Sequence, residues 1–371
     1  MFKSRQHSAC MFQATVILMQ TLKYFSLGLL ALFFTGCSSS ATPVKTGEKI
    51  MSELTKTMQP VCVGRFVIEI PTMAHVHKWS HESDYIKVES ISPPSVNQKT
   101  FETKVRQLEA KLKTSPHKTE GILFKNKTQL TPYSVLFAYR EDSTEATLYK
   151  LDALFWQPGI EYLFSVETTN KYLDKTIEDI TKLTKSFIAL PTKAVISGPP
   201  GFCVEHGVIT LTEPRFESIE VIGRIAEYPG LEFKFSTQST NDQFDDKTLI
   251  EHLSGSFNMG NALSAFMTES TTFLRKGKRK LNGQQGEEVV VSFKTNDQKS
   301  MDASAEFYGE PHILEKPLIE IELTYDQKTD EPPQPNKKTL SEKDFMALWD
   351  ALLNGIKPRK ASLWGDGSIK K

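Results

Sequence analysis

The sequence lacks the motifs that mark common hydrolase and nucleotide-binding sites. It has no Gly-x-Ser-x-Gly turn, no His-Glu-x-x-His helix and no glycine-rich phosphate loop after a strand. The segment LSGSFNMG resembles the first of these only superficially. We therefore predict no enzyme activity, no cofactor and no metal site.

The sequence also has almost no net charge. Its 371 residues contain 45 Lys and Arg and 45 Asp and Glu. Residues 1–36 hold three of the basic residues and none of the acidic ones, so the chain from Cys37 onward has a formal charge of −3. This balance argues against a nucleic-acid-binding protein. The 39% hydrophobic and 24% charged content is typical of a globular protein of about two domains.

The N-terminal segment has no apolar run long enough to span a membrane. Its apolar core, from Phe25 to Phe34, has about ten residues, and a membrane-spanning helix needs about 20. We interpret residues 1–36 as a secretory signal. Met11 and Met19 are alternative translation starts to Met1. With either start the protein would lack Cys10, so no functional inference rests on that residue.

The signal resembles a bacterial lipoprotein leader, because the small residues Thr35 and Gly36 precede Cys37. That resemblance implies that Cys37 is acylated and begins the mature chain. Ser38 after it favours the outer membrane, so the protein would face the periplasm on a lipid anchor. Residues 37–57 would form a flexible tether.

The remaining chain contains two similar copies of one sequence pattern. Cys62-Val63 is repeated as Cys203-Val204, 141 residues later, and Val67-Ile68 recurs at the same offset. In each copy, helical spacing predicts an early and a closing helix, and period-two alternation predicts strands between them. The helix positions are Phe101, Val105, Leu108 and Leu112, then Leu173, Ile177, Ile180, Leu183 and Phe187, and in the second copy Asp246, Leu249, Ile250 and Leu253, then Ser341, Asp344, Phe345, Leu348, Trp349, Leu352 and Leu353. The strand positions are Val135, Phe137 and Tyr139, Tyr149, Leu151, Ala153 and Phe155, Ile160, Tyr162, Phe164 and Val166, and in the second copy Val289, Val291 and Phe293, Ala303, Ala305 and Phe307, and Ile319, Ile321, Leu323 and Tyr325.

Such alternation is typical of antiparallel sheets with one covered face. We therefore predict an α+β fold of two similar domains, residues 58–191 and 201–357, each an antiparallel sheet with helices packed on one face. The segment between them, PTKAVISGPPG, is the predicted linker, and residues 358–371 are predicted to be a mobile tail.

A histidine-rich segment has the side chains of a metal site. His75, His77 and His81 with Glu82 include zinc-ligand types. No complete ligand set or supporting residue is evident. We interpret the segment as a surface loop after Pro71.

Two further clusters have simpler explanations. Cys203 with His206 resembles a nucleophile and its base, but Cys62, at the equivalent repeat position, has no histidine nearby, so we predict no catalytic pair. The segment LRKGKRKL is interpreted as a solvated hairpin, with contact to acidic head groups or docking of an acidic partner as alternatives. Its basic residues are Arg275, Lys276, Lys278, Arg279 and Lys280.

The opening motifs together resemble a known family. A lipoprotein leader, then the segment CVGRF at residues 62–66 ending in Pro71, then GFC at residues 201–203, is similar to two-domain immunity lipoproteins that protect bacteria from phospholipase effectors of the type VI secretion system. The similarity covers about residues 55–357, with Glu205-His206 in place of a second Gly-Arg. It implies a binding protein that occludes the lid or cleft of a cognate α/β-hydrolase-type phospholipase.

No contact residue can be transferred from the family, because the motifs lie at strand starts. Aromatic and arginine residues on loops are the usual anchors of such interfaces. The candidates here are Trp79, Trp156 and Tyr308, with the basic segment 275–280. For Trp156, which follows an apolar strand, the alternative is that it caps the sheet. The main alternative is an outer-membrane lipoprotein of unrelated role that binds a ligand or assists assembly through the cleft between its domains.

Cys62 and Cys203 would be the only thiols left after signal removal and acylation of Cys37. In an oxidising compartment they could form an interdomain disulfide. The alternative is that each is a small buried apolar residue in its own domain.

Overall fold

A computed structural model describes residues 53–91, 97–211, 213–240, 248–251, 271–294, 298–328 and 338–359. The predicted signal, Cys37, most of the predicted tether and nearly all of the predicted tail lie outside the described residues. Asp246 and Leu253 of the second copy's early helix also lie outside them, whereas residues 249–251 are helical. No described helix is both long and apolar enough to cross a membrane.

The two halves contain similar series of elements. The first half has α1 Glu53–Lys56, β1 Met58–Val63, β2 Phe66–Pro71, β3 Ala74–Ser83, β4 Ile86–Ile91, α2 Gln98–Thr114, β5 Pro116–His117, β6 Gly121–Ile122, β7 Phe124–Thr131, β8 Ser134–Tyr139, β9 Leu148–Gln157, β10 Ile160–Thr169, α3 Leu173–Ser186 and β11 Phe187–Ala189. The second half has α4 Thr192–Ser197, β12 Phe202–Val204, β13 Gly207–Ile209, β14 Glu217–Ile225, β15 Leu231–Gln238, β16 Thr271–Leu281, β17 Gln284–Lys294, β18 Gln298–Phe307, β19 Leu318–Lys328, α5 Glu342–Asn354 and β20 Lys357–Pro358.

Twelve of the strands form one antiparallel sheet that runs through both halves. Outward from its centre the first half contributes β3, β4, β10, β9, β8 and β7, and the second contributes β14, β15, β19, β18, β17 and β16. The order is the same in each half, so the duplication and the α+β class are confirmed. The halves share one sheet because β3 pairs with β14, from Ser83 opposite Glu217 to Ala74 opposite Ile225. We call this pairing the seam.

Two small sheets also connect the halves, because each contains strands from both. The hairpin β1–β2 that opens the first half pairs with β20, which closes the second half. The hairpin β12–β13 that opens the second half pairs with β11, which closes the first. The predicted linker is itself part of this structure, because it contains α4 and its Val195 is buried. Described residues 53–359 lie within one compact unit.

One face of the large sheet is covered by α3 and α5 over a continuous apolar core. Helix α5 begins at the predicted cap, where Ser341 Oγ accepts a hydrogen bond of 3.1 Å from the backbone N–H of Asp344. Strand β18 and strand β19 alternate strictly, with Ala303, Ala305 and Phe307, and Ile319, Ile321, Leu323 and Tyr325, all buried. These strand predictions are therefore confirmed.

The first half differs from the prediction that all helices pack on one face. Helix α2 lies on the opposite face, where Phe101 and Val105 pack against Val135 and Phe137. The neighbouring residue Leu136 faces the main core instead. The physical reason is that the run SVLFA in β8 is apolar on both faces, so each face needs a cover.

The folded unit extends beyond the predicted domain bounds at both ends. Leu54 in α1 is fully buried in the core, so the folded unit begins before residue 58. Arg359 is also buried, and its Nη2 donates hydrogen bonds of 2.8 and 2.9 Å to the carbonyls of Val195 and Gly198. Leu54 and Arg359 therefore each supply a buried side chain to the fold from outside the predicted bounds.

Candidate interaction surface

The paired cysteines connect the two opening hairpins. Cys62 in β1 and Cys203 in β12 form a disulfide with their Sγ atoms 2.01 Å apart. Gly64 and Cys203 also exchange backbone hydrogen bonds of 3.0 and 2.8 Å. Gly64 has φ of +58°, and an added Cβ would lie 3.0 Å from Ile219 in the large sheet, so the position favours glycine. Of the two alternatives for the cysteines, the structure contains the bridged one.

Arg65 extends this connection to the seam. Its Nε and Nη2 donate hydrogen bonds of 2.5 and 2.9 Å to the two carboxylate oxygens of Glu217, and the side chains are only 5% and 4% exposed. Burial raises the pKa of Glu217, and the charge of Arg65 opposes that shift. The Gly-Arg motif therefore joins the first opening hairpin to β14, the strand of the second half that pairs at the seam.

On the second face of the sheet, the outward residues of β14, β15, β19 and β18 are intermediate or exposed. Because core-facing residues alternate with outward ones, the side chains between the buried positions point away from α5. Seven of these outward residues are acidic and two are basic: they are Glu220, Glu232, Asp302, Glu306, Glu320, Glu322 and Asp326, with Arg224 and Lys234. We call this set the acidic face.

Crowding on the acidic face changes its titration. Partial burial and then the neighbouring Glu320 raise the pKa of Glu306 to about 7. Partial burial and then Asp326 raise the pKa of Asp302 to about 6. Lys234 offsets part of the repulsion, with its Nζ 3.1 Å from Glu322 and 3.7 Å from Glu220. The face therefore carries negative charge that is only partly balanced within the sheet.

A stacked aromatic pair lies at one end of the seam. Asp84 and Tyr85 form the two-residue turn between β3 and β4, and both have positive φ, +52° and +65°. The ring of Tyr85 lies parallel to that of Phe216, with centroids 4.8 Å apart and an interplanar angle of 5°. Tyr85 is 49% exposed. One ring comes from each half of the chain, and we call them the seam pair.

The chain matches two family models in domain order. The model of the Tle cognate immunity protein 4 N-terminal domain matches residues 59–193, and that of the C-terminal domain matches residues 196–361. The chain belongs to the Tli4 family. This is a family of immunity proteins against lipase effectors of the type VI secretion system, as the sequence resemblance predicted.

Solved structures similar to this Tli4-family chain share its fold. The structure of the Tle4–Tli4 complex has 23% identity and a TM-score of 0.71, over 81% of this chain and 97% of that chain. The apo structure of immunity protein TplEi of the type VI secretion system from Pseudomonas aeruginosa has 23% identity and a TM-score of 0.69 over the same shares. The TplEi structure complexed with an "L" peptide has 22% identity and a TM-score of 0.66, over 82% and 99%. A comparison with curated proteins finds no significant match.

The aromatic candidates are less exposed in this Tli4-family chain than the sequence suggested. Trp79 lies in β3 and packs against the main core. Trp156 is 8% exposed and stacks on Phe101, and it lines a pocket of about 250 Å³ beside Tyr133. Tyr308 follows β18 and its hydroxyl oxygen is buried. Residues at these positions were expected on loops, whereas tertiary packing covers most of each ring.

The basic segment divides into two sets within β16, an edge strand. Arg275 and Arg279 turn towards α5, where Arg275 donates hydrogen bonds of 2.6 and 3.0 Å to Asp350 and Arg279 donates one of 2.9 Å to Glu288. These contacts raise the pKa of Arg275. Lys276, Lys278 and Lys280 alternate with them and are exposed. The arginines are therefore part of the fold, and the lysines protect an open edge of the sheet.

The histidine-rich segment is a strand rather than the expected surface loop. It forms β3 at the seam, because its alternating residues fit between β4 and β14. His81 is buried, and that burial lowers its pKa to about 4, while His77 Nδ1 accepts a hydrogen bond of 3.2 Å from Arg224. The described residues contain no cluster that could hold a metal ion. Cys203 is bonded to Cys62, so its sulfur is not a free thiol beside His206.

Two features of this surface, the acidic face and the seam pair, were not predicted from the sequence. The alternating glutamates of the segment IEIELTYD are a sequence signal for part of the acidic face. Asp302 and Glu306 lie beside them only because β18 pairs with β19. The sequence signal for the seam pair is weaker. It is the segment SDYI, because a two-residue hairpin turn favours a glycine that this segment lacks. Phe216 could not be paired with it before the seam was known.

Proposed function

We propose that this Tli4-family chain binds and inhibits one cognate lipase effector of the type VI secretion system, and that it acts by binding rather than by catalysis. The observation that carries the proposal is the match of both family domain models, in order, over residues 59–193 and 196–361. One of the similar solved structures is a complex of Tle4 with Tli4, and another is a complex of TplEi with a peptide.

The continuous sheet favours a rigid docking platform over two hinged domains. The β3–β14 pairing, the Cys62–Cys203 disulfide and the buried Arg65–Glu217 pair all cross from one half to the other. A surface held in place before binding loses little conformational entropy when the partner arrives. We propose that this platform covers the lid or the active-site cleft of the lipase, over the roughly 1,600 Å² usual for tight inhibitor complexes.

The acidic face suggests the charge of the surface that it meets. Seven carboxylates stand at outward positions of four neighbouring strands, accompanied by Arg224 and Lys234. A partner with basic side chains at matching positions would be steered towards this face. It would also relieve the repulsion from Glu320 that, after burial, raises the pKa of Glu306. We therefore propose a basic contact surface on the lipase, with association that weakens as salt rises.

Two cavities lined by described residues lie between the halves, and both are too small for the ligand-binding alternative. The cavity beneath Ile68, Phe233 and Leu352 holds about 10 Å³, and the cavity beside Arg65 and Glu217 holds about the same. Each is no larger than one water site. Neither could accept an organic ligand.

We also propose that the protein works on the periplasmic side of the outer membrane, anchored through a lipid on Cys37. A lipase that attacks membrane phospholipid from the periplasm must be met in that compartment. The Cys62–Cys203 disulfide supports this location, because disulfides persist in oxidising compartments.

The test is a toxicity and rescue experiment. Where a lipase gene lies directly beside this one, periplasmic expression of that lipase is expected to kill cells, and co-expression of the full chain is expected to rescue them. A chain without residues 1–36 should not rescue, and Cys37→Ala, which keeps the signal but removes the acyl acceptor, should rescue less well. Failure of the full chain to rescue, or equal rescue by an unrelated lipoprotein, would contradict the proposal.

A further inference from the structure

The turn between β3 and β4 has a backbone that does not suit its residues. A two-residue hairpin with both residues at positive φ favours Asn-Gly or Asp-Gly, because a Cβ in the left-handed region crowds the following carbonyl. Asp tolerates this region, but tyrosine does not. Tyr85 nonetheless occupies the second position with φ of +65°.

Another two-residue turn of this chain has the expected glycine. The turn between β16 and β17 is Asn282-Gly283, with φ of +50° and +86°. The longer connection between β14 and β15, which is the repeat counterpart of the β3–β4 turn, has Gly230 at φ of +79°. The duplicated topology therefore does not require tyrosine at position 85. Strained residues of this kind concentrate at functional sites.

The seam pair is also held in place before any partner binds. The backbone N–H of Asp84 donates a hydrogen bond of 2.8 Å to the carbonyl of Phe216, and the Asp84 carboxylate accepts one of 2.6 Å from the backbone N–H of Arg215. The Arg215 side chain reaches Asp179 in α3 at 3.0 Å. The rings thus stand on a fixed base with paired charges around them, which is the arrangement of an interface anchor with a polar rim.

We propose that Tyr85 and Phe216 form an anchor that receives an apolar side chain of the lipase effector. This inference rests on the proposed function. The partner's side chain should be apolar, because Arg215 beside the rings is paired with Asp179. These residues therefore present no strong net charge to a partner. The anchor contains one ring from each half, so it is complete only when the seam has formed.

The experiment measures binding of a catalytically inactive form of the neighbouring lipase to the full chain in mild detergent, by titration calorimetry. Tyr85→Gly is expected to raise the Kd by at least about 30-fold, as for an interface hot spot. Its thermal unfolding midpoint should be unchanged or higher, because glycine suits φ of +65°. Phe216→Ala removes the other ring without changing the turn and should weaken binding similarly. Tyr85→Phe keeps the ring and should bind within about threefold of the wild type.

Two controls separate anchoring from general effects. Tyr172→Ala removes a tyrosine of similar exposure, 53%, that lies outside the seam pair, and should leave the Kd unchanged. Asn282→Gly relaxes another left-handed residue without removing an aromatic ring and should also leave it unchanged. If wild type binds tightly but Tyr85→Gly and Phe216→Ala bind equally well, the anchor is wrong and the proposed function stands. If the wild-type chain does not bind the lipase, both are wrong.

Discussion

Replacing Cys62 and Cys203 with alanine tests the coupling of the two halves. The disulfide joins residues separated by 141 positions. On the chain-entropy model, a loop of this length restricts the unfolded chain enough to stabilise the fold by about 5 kcal/mol at 25 °C. Because the net stability of a globular protein is about 5–15 kcal/mol, this is a large fraction of the total.

The native structure should nevertheless survive the loss of the bridge. The β3–β14 pairing, the exchanged strands β11 and β20 and the Arg65–Glu217 pair all still connect the halves. We therefore expect one cooperative unfolding transition, at lower denaturant, rather than two separate ones. The slope of the free energy of unfolding against urea should rise, because an unfolded chain without the crosslink exposes more surface.

The assay is equilibrium urea unfolding of wild type and the double variant, with and without a reductant. Reduced wild type should lose most of the stability that the double variant loses, and the remaining difference reports the packing of the two sulfur atoms, about 1 kcal/mol each. The double variant should not respond to the reductant. A reduced wild type within about 1 kcal/mol of the oxidised form, or two transitions in the oxidised protein, would refute the reasoning.

Two further predictions concern buried and crowded charges. Arg65→Met leaves the buried carboxylate of Glu217 without its partner and should destabilise the protein by about 3–5 kcal/mol in urea unfolding, whereas the double variant with Glu217→Leu should recover part of that loss. Equal stability of the single and double variants would contradict the pairing argument. Glu306 has its folded pKa raised to about 7, so the stability that it contributes is present below about pH 4.5 and is lost as pH rises through 7. Glu306→Gln should therefore gain stability over wild type between pH 4.5 and 8, on the order of 1 kcal/mol for a partly exposed group, and a constant difference across that range would argue against a raised pKa.

Local patterns were sufficient for the elements that have one regular apolar face, but not for β3, whose histidine-rich sequence was predicted to be a loop. The alternation in β18 and β19 and the helical spacing in α5 reflect the need of each element to bury one face, and that need acts along the chain. The repeat of Cys62-Val63 at Cys203-Val204 identified the duplication for the same reason, because each copy meets the same local requirements. The prediction that helices cover only one face of each sheet was wrong at β8, because the run SVLFA is apolar on both faces.

The sequence by itself determined the strands with regular alternation, most of the helices, the two copies and the family resemblance, since these depend on residue spacing and short motifs. Only the tertiary structure decided that the copies share one sheet, because strand pairing at the seam joins segments that lie about 140 residues apart. That long-range pairing placed Tyr85 on Phe216 and gathered the carboxylates of four strands onto one face. The elements follow from local chemistry, whereas the surface offered to a partner follows from contacts between distant parts of the chain.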